Sequence, residues 1–541
     1  MAIKKYVANA DTTIVNAYKT DMETRGTGSN MGAADIVEIF SVYGRQSTSS
    51  AELSRALVKF PIPTISSDRT AGTIPASGSV SFYLKMHSAA TSRTAPSGAY
   101  SMVIEPLSRD WQEGFGLDMA GYTDVTKGNV GANWMSASNT TAWTKIGGDY
   151  ITDSNAAYPF EWYSADMTTG LEDIEVDITG LVELWMAGTL NNYGVGVHLS
   201  GAYEANTSMD YVINSSGTPP GYTALFNPTG STTSYYTRRF FARGSQYWFK
   251  RPTIEARWNS SRKDNRGEVY YSSSLAGVND NQNTLFLYNY VRGRLKNIPS
   301  AGVGAIYVSL YSGSADNTTP SGSAISLPRT LPYTHVSAIN PYVITGAWVA
   351  TGIYSAQFAL TSGQEPGNRA PLTRVFDVWH DGAGKNIPGA GVEFVTSSFE
   401  PQHFSASSYV PNPKYYMNIT NLKDSYRTDE TARLNLFVRH KNWSPTIYTV
   451  ANAEVENTTI QSASYRVYRI LDDYEALPYR TGSQKASELS YDISGNYFDL
   501  DMNLLEGGYA YGIKFAFYDD DIKSWSEQPY VFKFRVEDYE Y

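Results

Sequence analysis

The chain has no cysteine, and this absence excludes several kinds of site at once. Disulfide cross-links, thiolate metal centres and a cysteine nucleophile are all impossible in its 541 residues. Charged residues are also few, at 18%, and the formal net charge is -10. A protein whose main partner is a nucleic acid presents a basic face to the phosphates, so this acidic balance argues against such a partner.

Long apolar runs are missing as well. No stretch approaches the roughly 20 apolar residues that a membrane helix needs, so no membrane insertion is expected. The first residues, MAIKKYVANADTT, lack the apolar core of a signal peptide. The sequence therefore predicts a protein that is made in the cytoplasm and is not secreted by a cleaved signal.

Residues that carry most enzymatic chemistry are scattered. The six histidines are far apart, with no His-x-x-x-His pair for zinc. No Gly-x-Ser-x-Gly elbow, phosphate-binding loop or dinucleotide fingerprint is present. Acidic runs such as Asp472-Asp473 and Asp519–Asp521 stand at strand ends, where carboxylates are usually solvated, although loop carboxylates can also bind Ca²⁺. We expect no enzymatic activity, no catalytic residue, no metal and no cofactor.

Tyrosine is the residue that stands out, with 42 copies, and its ring suits half-buried strand faces. Most of the chain consists of short alternating runs between Gly, Pro, Ser, Asn and Asp clusters, as at Ile36–Tyr43, Ser79–His87 and Gly194–Leu199. This pattern predicts an all-β protein made of β-sandwiches.

The length and the polar break Asn259–Asp264 predict three domains. We place a first β-sandwich over residues 1–258, and the resemblance given below implies that it is a jelly roll. The turn spacing of about ten residues in the rest of the chain predicts two immunoglobulin-like sandwiches, over residues 265–400 and 401–541.

The stretch from Glu175 to Leu199 organises the first predicted domain. A strand leads to Thr179, which is expected to cap a short helix that ends at Gly188. The Trp185 side chain is expected to pack into the core of the sandwich below this helix. The turn Asn191–Gly194 then leads into an alternating strand.

Four segments of the first domain carry a resemblance. They are SRALVKFPI (Ser54–Ile62), WMSASNTTAWTKIGGDY (Trp134–Tyr150), DITGLVELWMAGTLNNYGVGVHL (Asp177–Leu199) and RPTIEARW (Arg251–Trp258). In this order they resemble the DNRLRE-type jelly-roll domain of carbohydrate-binding and cell-surface proteins. The resemblance implies a fold but not a function, because such domains are reused in unrelated contexts.

Both ends of the chain carry a second resemblance. KYVANADTTIVNAYKTDMETRGTGSNMGAADIVEIFSVYG at the start and ITNLKDSYRTDETARLNLFVRHKNWSPTIY (Ile419–Tyr448) near the end resemble virion structural proteins of contractile-tailed, myovirus-type marine phages. This resemblance implies a virion location, other virion structural proteins as partners, and several symmetric copies per particle. It leaves the attachment point open among capsid, neck and tail.

Two sets of residues are candidate binding sites. Sugar rings stack on exposed aromatic faces, and Trp111 and Trp162 in a long loop are candidates for such stacking. Trp134, Trp143 and Trp185 fall on core positions of the DNRLRE-type domain, so the resemblance implies that they are buried instead. The second set interleaves arginines with aromatic residues, which suits a nucleic-acid stacking surface or a protein interface; the net charge favours the interface. Its members are Arg238, Arg239, Phe240, Phe241, Tyr247 and Trp248.

Three functions compete as explanations of these observations. The sequence favours a non-enzymatic phage virion component that docks through protein–protein interfaces and is present as a homo-oligomer in the particle. The alternative is a carbohydrate-binding adhesin or fibre component that contacts host-surface polysaccharide. A glycan-cleaving enzyme has the least support.

Overall fold

The protein is described by a computed structural model. It describes residues 2–19, 25–44, 50–89, 99–117, 131–152, 163–207, 227–273, 276–327, 341–361, 372–382, 391–403, 414–444, 447, 457–520 and 522–538. Strands dominate these residues, and helices are short. The predicted all-β fold class, a jelly-roll sandwich followed by immunoglobulin-like sandwiches, is confirmed.

The chain folds into two compact units. One comprises residues 2–259 together with the short segment 482–486, and the other comprises residues 260–481 and 487–541. The boundary lies in the polar segment Asn259–Asp264. The division into three domains, at the residues given above, stays a prediction.

The first unit contains eleven strands and two helices among its described residues. They are β1 (Ile3–Val7), β2 (Ala10–Val15), β3 (Ile36–Gly44), β4 (Ser50–Lys59), α1 (Ile62–Thr70), β5 (Ser81–Met86), β6 (Tyr100–Pro106), β7 (Tyr163–Met167), β8 (Ile174–Asp177), α2 (Thr179–Met186), β9 (Val195–Leu199), β10 (Tyr235–Phe241) and β11 (Thr253–Arg257).

These strands form two antiparallel sheets with a shared core, as in a jelly roll. One sheet has the order β1-β11-β5-β8, and the other has the order β10-β3-β4-β9-β6-β7, with β2 paired to β4. Strand β5 shows the underlying pattern: Phe82, Leu84 and Met86 are buried, and the residues between them are half-buried. The buried side chains of both sheets meet in one hydrophobic cluster.

Helix α2 covers this core much as expected, with one correction. Thr179 is not the N-cap: Ile178 holds that position, and Thr179 is the first helical residue. Its hydroxyl donates to Asp177 Oδ1 at 2.6 Å and accepts from the backbone N–H of Phe82 at 2.8 Å, so it ties the helix to β5 and β8. Trp185 is 5% exposed and lies in the core, which confirms its predicted burial.

The second unit contains nineteen strands among its described residues. They are β12 (Asn283–Tyr288), β13 (Tyr290–Val291), β14 (Arg294–Leu295), β15 (Ile306–Gly313), β16 (Pro320–Ser321), β17 (Ile344–Ala350), β18 (Ile353–Phe358), β19 (Val375–His380), β20 (Glu393–Phe399), β21 (Tyr415–Ile419), β22 (Ser425–Arg427), β23 (Thr431–His440), β24 (Ala463–Arg469), β25 (Glu475–Leu477), β26 (Ser490–Asp492), β27 (Gly495–Asp501), β28 (Ala510–Asp519), β29 (Ser524–Glu527) and β30 (Phe532–Glu537).

The earlier strands of this unit form the first immunoglobulin-like sandwich. Their order is β12-β18-β17-β15-β19-β20, and β17 pairs with both β18 and β15, so it joins the two faces. The faces enclose a core that includes Leu285, Val308 and Trp379. This arrangement of two facing antiparallel layers is that of an immunoglobulin-like fold.

The later strands form the second such sandwich. One sheet has the order β21-β23-β27-β26, and the other has the order β22-β30-β28-β24-β25, with β29 paired to β28. The rings of Tyr465 on β24 and Phe498 on β27 stack across the two sheets at 4.3 Å. Strand β22 runs parallel to β30, which closes the edge of the larger sheet.

Candidate protein-interaction surface

The interface residues predicted from the sequence divide between core and surface. Along β10, alternate side chains point to opposite faces of the sheet. Phe240 is fully buried, and the Arg238 guanidinium lies 5.1 Å from its ring. Arg238 Nη2 donates to the Glu172 carbonyl oxygen at 2.6 Å. Since Arg238 and Phe240 are core residues here, the candidate surface excludes them.

The outward-facing residues do come together. Phe241 and Tyr247 meet edge to face with ring centroids 5.3 Å apart, and Lys250 Nζ lies 5.0 Å from the first ring and 5.4 Å from the second. Half of Tyr247 is exposed, and Trp248 beside it is half-buried. We call these four residues the Tyr247 surface. Aromatic rings in contact with each other and with a cation are typical of residues that dominate protein–protein binding energy.

The loop that carries this surface is held by its own hydrogen bonds. Ser245 Oγ accepts from the backbone N–H of Tyr247 at 3.2 Å, and the Ser245 carbonyl accepts from Arg251 Nε at 2.8 Å. The backbone N–H of Lys250 donates to the Tyr247 carbonyl at 3.0 Å, which closes a helical turn. A loop fixed in this way loses little conformational entropy when a partner binds.

The charge of this region is positive. Arg239 is neutralised by Glu38, with Nε 2.5 Å from Oε1. Lys250 and Arg251 make no ion pair with any described residue. The Tyr247 surface therefore suits a partner that supplies carboxylates around an apolar recess.

The tryptophans proposed for sugar stacking do not form a platform among the described residues. Trp111 is 7% exposed, and its indole N–H donates to the Tyr193 carbonyl at 2.8 Å. Trp162 lies outside the described residues, so its role stays a prediction. Trp134 and Trp143 are 0% and 6% exposed, which confirms their predicted burial. The burial of Trp111 leaves the carbohydrate-binding alternative without a supporting observation.

A buried ionic network, which the sequence reasoning missed, lies within the same unit. Arg55 forms a two-fold pair with Glu204, with Nε–Oε1 at 3.0 Å and Nη2–Oε2 at 2.8 Å. Its Nη1 donates to the Gly147 carbonyl at 3.1 Å. The guanidinium lies 5.8 Å from the Trp134 ring and 5.3 Å from the Tyr150 ring. The pair is thus desolvated and enclosed by aromatic surface.

His198 joins this network as a cation. Its Nε2 lies 3.1 Å from Glu105 Oε2, and its Nδ1 lies 2.8 Å from the Leu199 carbonyl oxygen. Both partners only accept, so both ring nitrogens carry protons. Burial alone would lower the pKa of His198, but hydrogen bonds to the two carboxylates raise it. Burial would likewise raise the pKa of Glu204, yet Arg55 and His198 hold it at about 2. Two cations face two anions, and the network is neutral.

The local sequence explains how the network is built. The Tyr150 ring packs against Gly196, where a side-chain Cβ would stand 2.1 Å from the ring. Gly147 has φ +82, a left-handed backbone conformation that is strained for residues other than glycine. In this conformation its carbonyl accepts the hydrogen bond from Arg55. The motifs SRAL, WTKIGGDY and NYGVGVHL therefore converge on one buried site. Arg55 and Glu204 are 149 residues apart, so no local pattern linked them.

A polar cleft of about 290 Å³ opens beside this network. It is lined by Arg55, Ser108, Thr144, Lys145, Gly148, Asp149, Tyr150 and Thr152. Ser108 Oγ donates to the Asp149 carbonyl at 3.2 Å, and the Asp149 carboxylate accepts from Arg109 Nε at 2.6 Å. Burial would raise the pKa of Asp149, but hydrogen bonds from backbone N–H groups and Arg109 lower it. These groups are engaged in holding the loop, so the cleft supports the fold.

The described residues offer neither a metal site nor a membrane-spanning helix. Within the part of the chain that the structure describes, no three His, Asp or Glu side chains lie close enough together to hold a metal ion. Over the same residues, no helix has the length and apolar character to cross a membrane.

Neither a family model nor a curated protein matches the sequence. Among solved structures, fibronectin(III)-like modules of CbhA from Clostridium thermocellum align over 52% of this chain and 93% of their own, at 12% identity and TM-score 0.14. A DUF4785 family protein from Legionella pneumophila aligns over 98% of this chain and 90% of its own, at 8% identity and TM-score 0.13. Trypsin-activated alpha-2-macroglobulin from Escherichia coli aligns over 82% of this chain and 29% of its own, at 7% identity and TM-score 0.13. Scores this low carry no argument, and the fold assignment rests on the strand pairing.

Proposed function

We propose that this chain is a non-enzymatic structural component of a bacteriophage particle, and that it docks on another virion protein through the Tyr247 surface. The observation that carries the docking role is the preorganised edge-to-face pair of Phe241 and the half-exposed Tyr247, with the Lys250 ammonium close to both rings. The phage context is supported by the resemblance of both chain ends to myovirus-type virion proteins.

The physical case for docking rests on exposure and rigidity together. An aromatic ring that is half exposed and already fixed by neighbouring hydrogen bonds can bury its remaining surface at little entropic cost. Interfaces draw most of their binding energy from a few such residues, which are often Tyr, Trp and Arg. Lys250 and Arg251, which make no ion pair within the described residues, add a preference for acidic partners. Attachment at the capsid, the neck or the tail is compatible with this chemistry.

The test is photo-cross-linking in infected cells. A photoreactive phenylalanine analogue placed at position 247 is expected to cross-link to one discrete virion protein in assembled particles. The matched control is the same analogue at Val303, which is 70% exposed but lies outside the Tyr247 surface.

Two further outcomes complete this test. The variant Tyr247→Ala/Lys250→Glu is expected to fold normally and to be incorporated into particles at a strongly reduced level. Cross-linking from Val303 but not from position 247, or full incorporation of the double variant, would contradict docking through this surface.

A further inference from the structure

Two hairpin tips form an exposed end of the first immunoglobulin-like sandwich. One tip is the β13–β14 hairpin, from Tyr290 to Lys296, and the other is the turn between β17 and β18. Four large hydrophobic side chains are exposed there: Tyr290 at 56%, Val291 at 42%, Trp348 at 36% and Val349 at 41%. We call the two tips together the basic end, for the charges described below.

The basic end is rigid. Asn297 Oδ1 accepts from Trp348 Nε1 at 3.1 Å and from the backbone N–H of Gly352 at 2.7 Å, so it joins the two tips. Asn289 donates from its backbone N–H to the Gly352 carbonyl at 2.8 Å and from Nδ2 to the Lys296 carbonyl at 2.7 Å. A Cβ at Gly352 would lie 2.6 Å from the Lys296 nitrogen, so this close approach requires glycine.

Three cations project from this end without compensation. Arg292, Arg294 and Lys296 are all exposed, and none makes an ion pair with a described residue. Arg292 and Gly293 have φ 53 and 74, which is the tight hairpin turn that places the charges at the very tip. In a chain of net charge -10, a local charge of +3 beside exposed rings is a specific feature.

The second immunoglobulin-like sandwich has a surface of the opposite character, at the turn between β24 and β25. Leu471 is 76% exposed there. The carboxylates of Asp472 and Glu506 pair with one guanidinium, that of Arg469, and Asp473 follows Asp472 in the chain, so these four residues carry two negative charges in excess. Asp473 makes no ion pair with a described residue. We call this turn with Glu506 the acidic end.

We propose that the basic end of one copy of this chain contacts the acidic end of a second copy. The charges are opposite, and each end offers exposed apolar surface that the other can cover. A contact between two different patches is heterologous, and it builds a ring or a row of copies. A nucleic acid would call for a longer basic track than three cations on one hairpin.

The contact area sets the expected strength. Two hairpin tips bury less than a standard interface of about 1,600 Å², so the contact is weak in solution and gains from the high local concentration on a particle. Because the charges are exposed, salt weakens it further. The inference does not rest on the Tyr247 surface, which lies in the other unit, and it is tested on purified full-length protein without particles.

The experiment is a charge-reversal pair followed by sedimentation velocity. Variant A, Arg292→Glu/Arg294→Glu, changes the basic end from +3 to -1, and variant B, Leu471→Lys/Asp473→Lys, changes the acidic end from -2 to +1. At low salt the wild type is expected to associate as its concentration rises, whereas each variant alone stays monomeric. An equimolar mixture of A and B is expected to associate again, because the intact acidic end of A meets the intact basic end of B.

The control is a charge reversal of equal size elsewhere in the same unit, Lys414→Glu/Lys441→Glu, which is expected to associate as the wild type does. Loss of association in this control to the same extent as in A would overturn the proposal. So would a wild type that stays monomeric throughout, or a mixture of A and B that does not associate. A monomeric wild type that binds poly-glutamate or single-stranded DNA would assign the basic end to another partner and would overturn the contact between copies.

Discussion

The buried network makes one strong prediction about stability. The change Glu204→Gln keeps the shape of the side chain and removes its charge. Arg55 then loses its two-fold partner, and His198 loses one of the two carboxylates that raise its pKa, so the buried Arg55 guanidinium is left without its direct counter-charge. Because Arg55 is 8% and Glu204 9% exposed at the side chain, water cannot screen this charge effectively.

The expected loss follows from burial. Removal of one partner from a buried ion pair costs about 3–5 kcal/mol. For a unit of about 250 residues, each kcal/mol moves the midpoint of thermal unfolding by about 2–4 °C, so a shift of about 6–20 °C is expected. Differential scanning calorimetry of the full chain is the appropriate assay, since it separates the transition of the first unit from that of the second.

Two variants control this measurement. The double change Arg55→Met/Glu204→Leu removes both charges and is expected to be clearly more stable than Glu204→Gln alone. Asp429→Asn breaks a pair with Arg427 that has the same two-fold geometry on the surface, and no measurable shift is expected. If Glu204→Gln lowered the midpoint of thermal unfolding no more than Asp429→Asn does, the buried pair would not stabilise the first unit as argued. The same would follow if the double change were no more stable than Glu204→Gln alone.

Three further predictions concern individual residues. Gly196→Ala drives a methyl group into the Tyr150 ring and is expected to lower the free energy of unfolding by about 1–3 kcal/mol. Gly201→Ala is the control: it has open space around it and is expected to leave stability unchanged, and urea unfolding compares the two variants. Burial raises the pKa of Asp11 from 3.8 to about 7, so its contribution to stability is present below pH 3.8 and is lost as the pH rises through 7. Asp11→Asn is therefore expected to melt above the wild type at pH 8.5 but not at pH 3.5, and equal melting at both would contradict this. Gly352→Ala is expected to loosen the basic end, seen as faster hydrogen exchange there, because of its φ of +71 and the adjacent backbone.

Much of the fold could be read from local pattern. The alternating run Ile36–Tyr43 corresponds to β3, Ile36–Gly44, and the run Gly194–Leu199 to β9, Val195–Leu199. Helix α1 was not predicted, because its sequence IPTISSDRT is rich in turn-forming residues and buries only Ile62 and Ile65. Its formation depends on tertiary packing, which a local pattern does not contain.

The candidate sites were less accessible to sequence reasoning. The alternation along β10 could have separated Arg238 and Phe240, which point inward, from Phe241, which points outward. Trp111 was a candidate for sugar stacking because it lies in a long predicted loop and outside the strands, yet its ring packs into a second hydrophobic cluster. The ion pair of Arg55 with Glu204 joins residues that only the closed sandwich brings together.

The central claim is that this chain is a component of a virion, and quantitative mass spectrometry of purified phage particles tests it most directly. Peptides of this chain are expected in the particles at a fixed ratio to the major capsid protein, in a copy number that matches a symmetry of the particle. Absence of the chain from particles that are otherwise complete, with the protein abundant in the infected-cell lysate, would show that it is not a virion component.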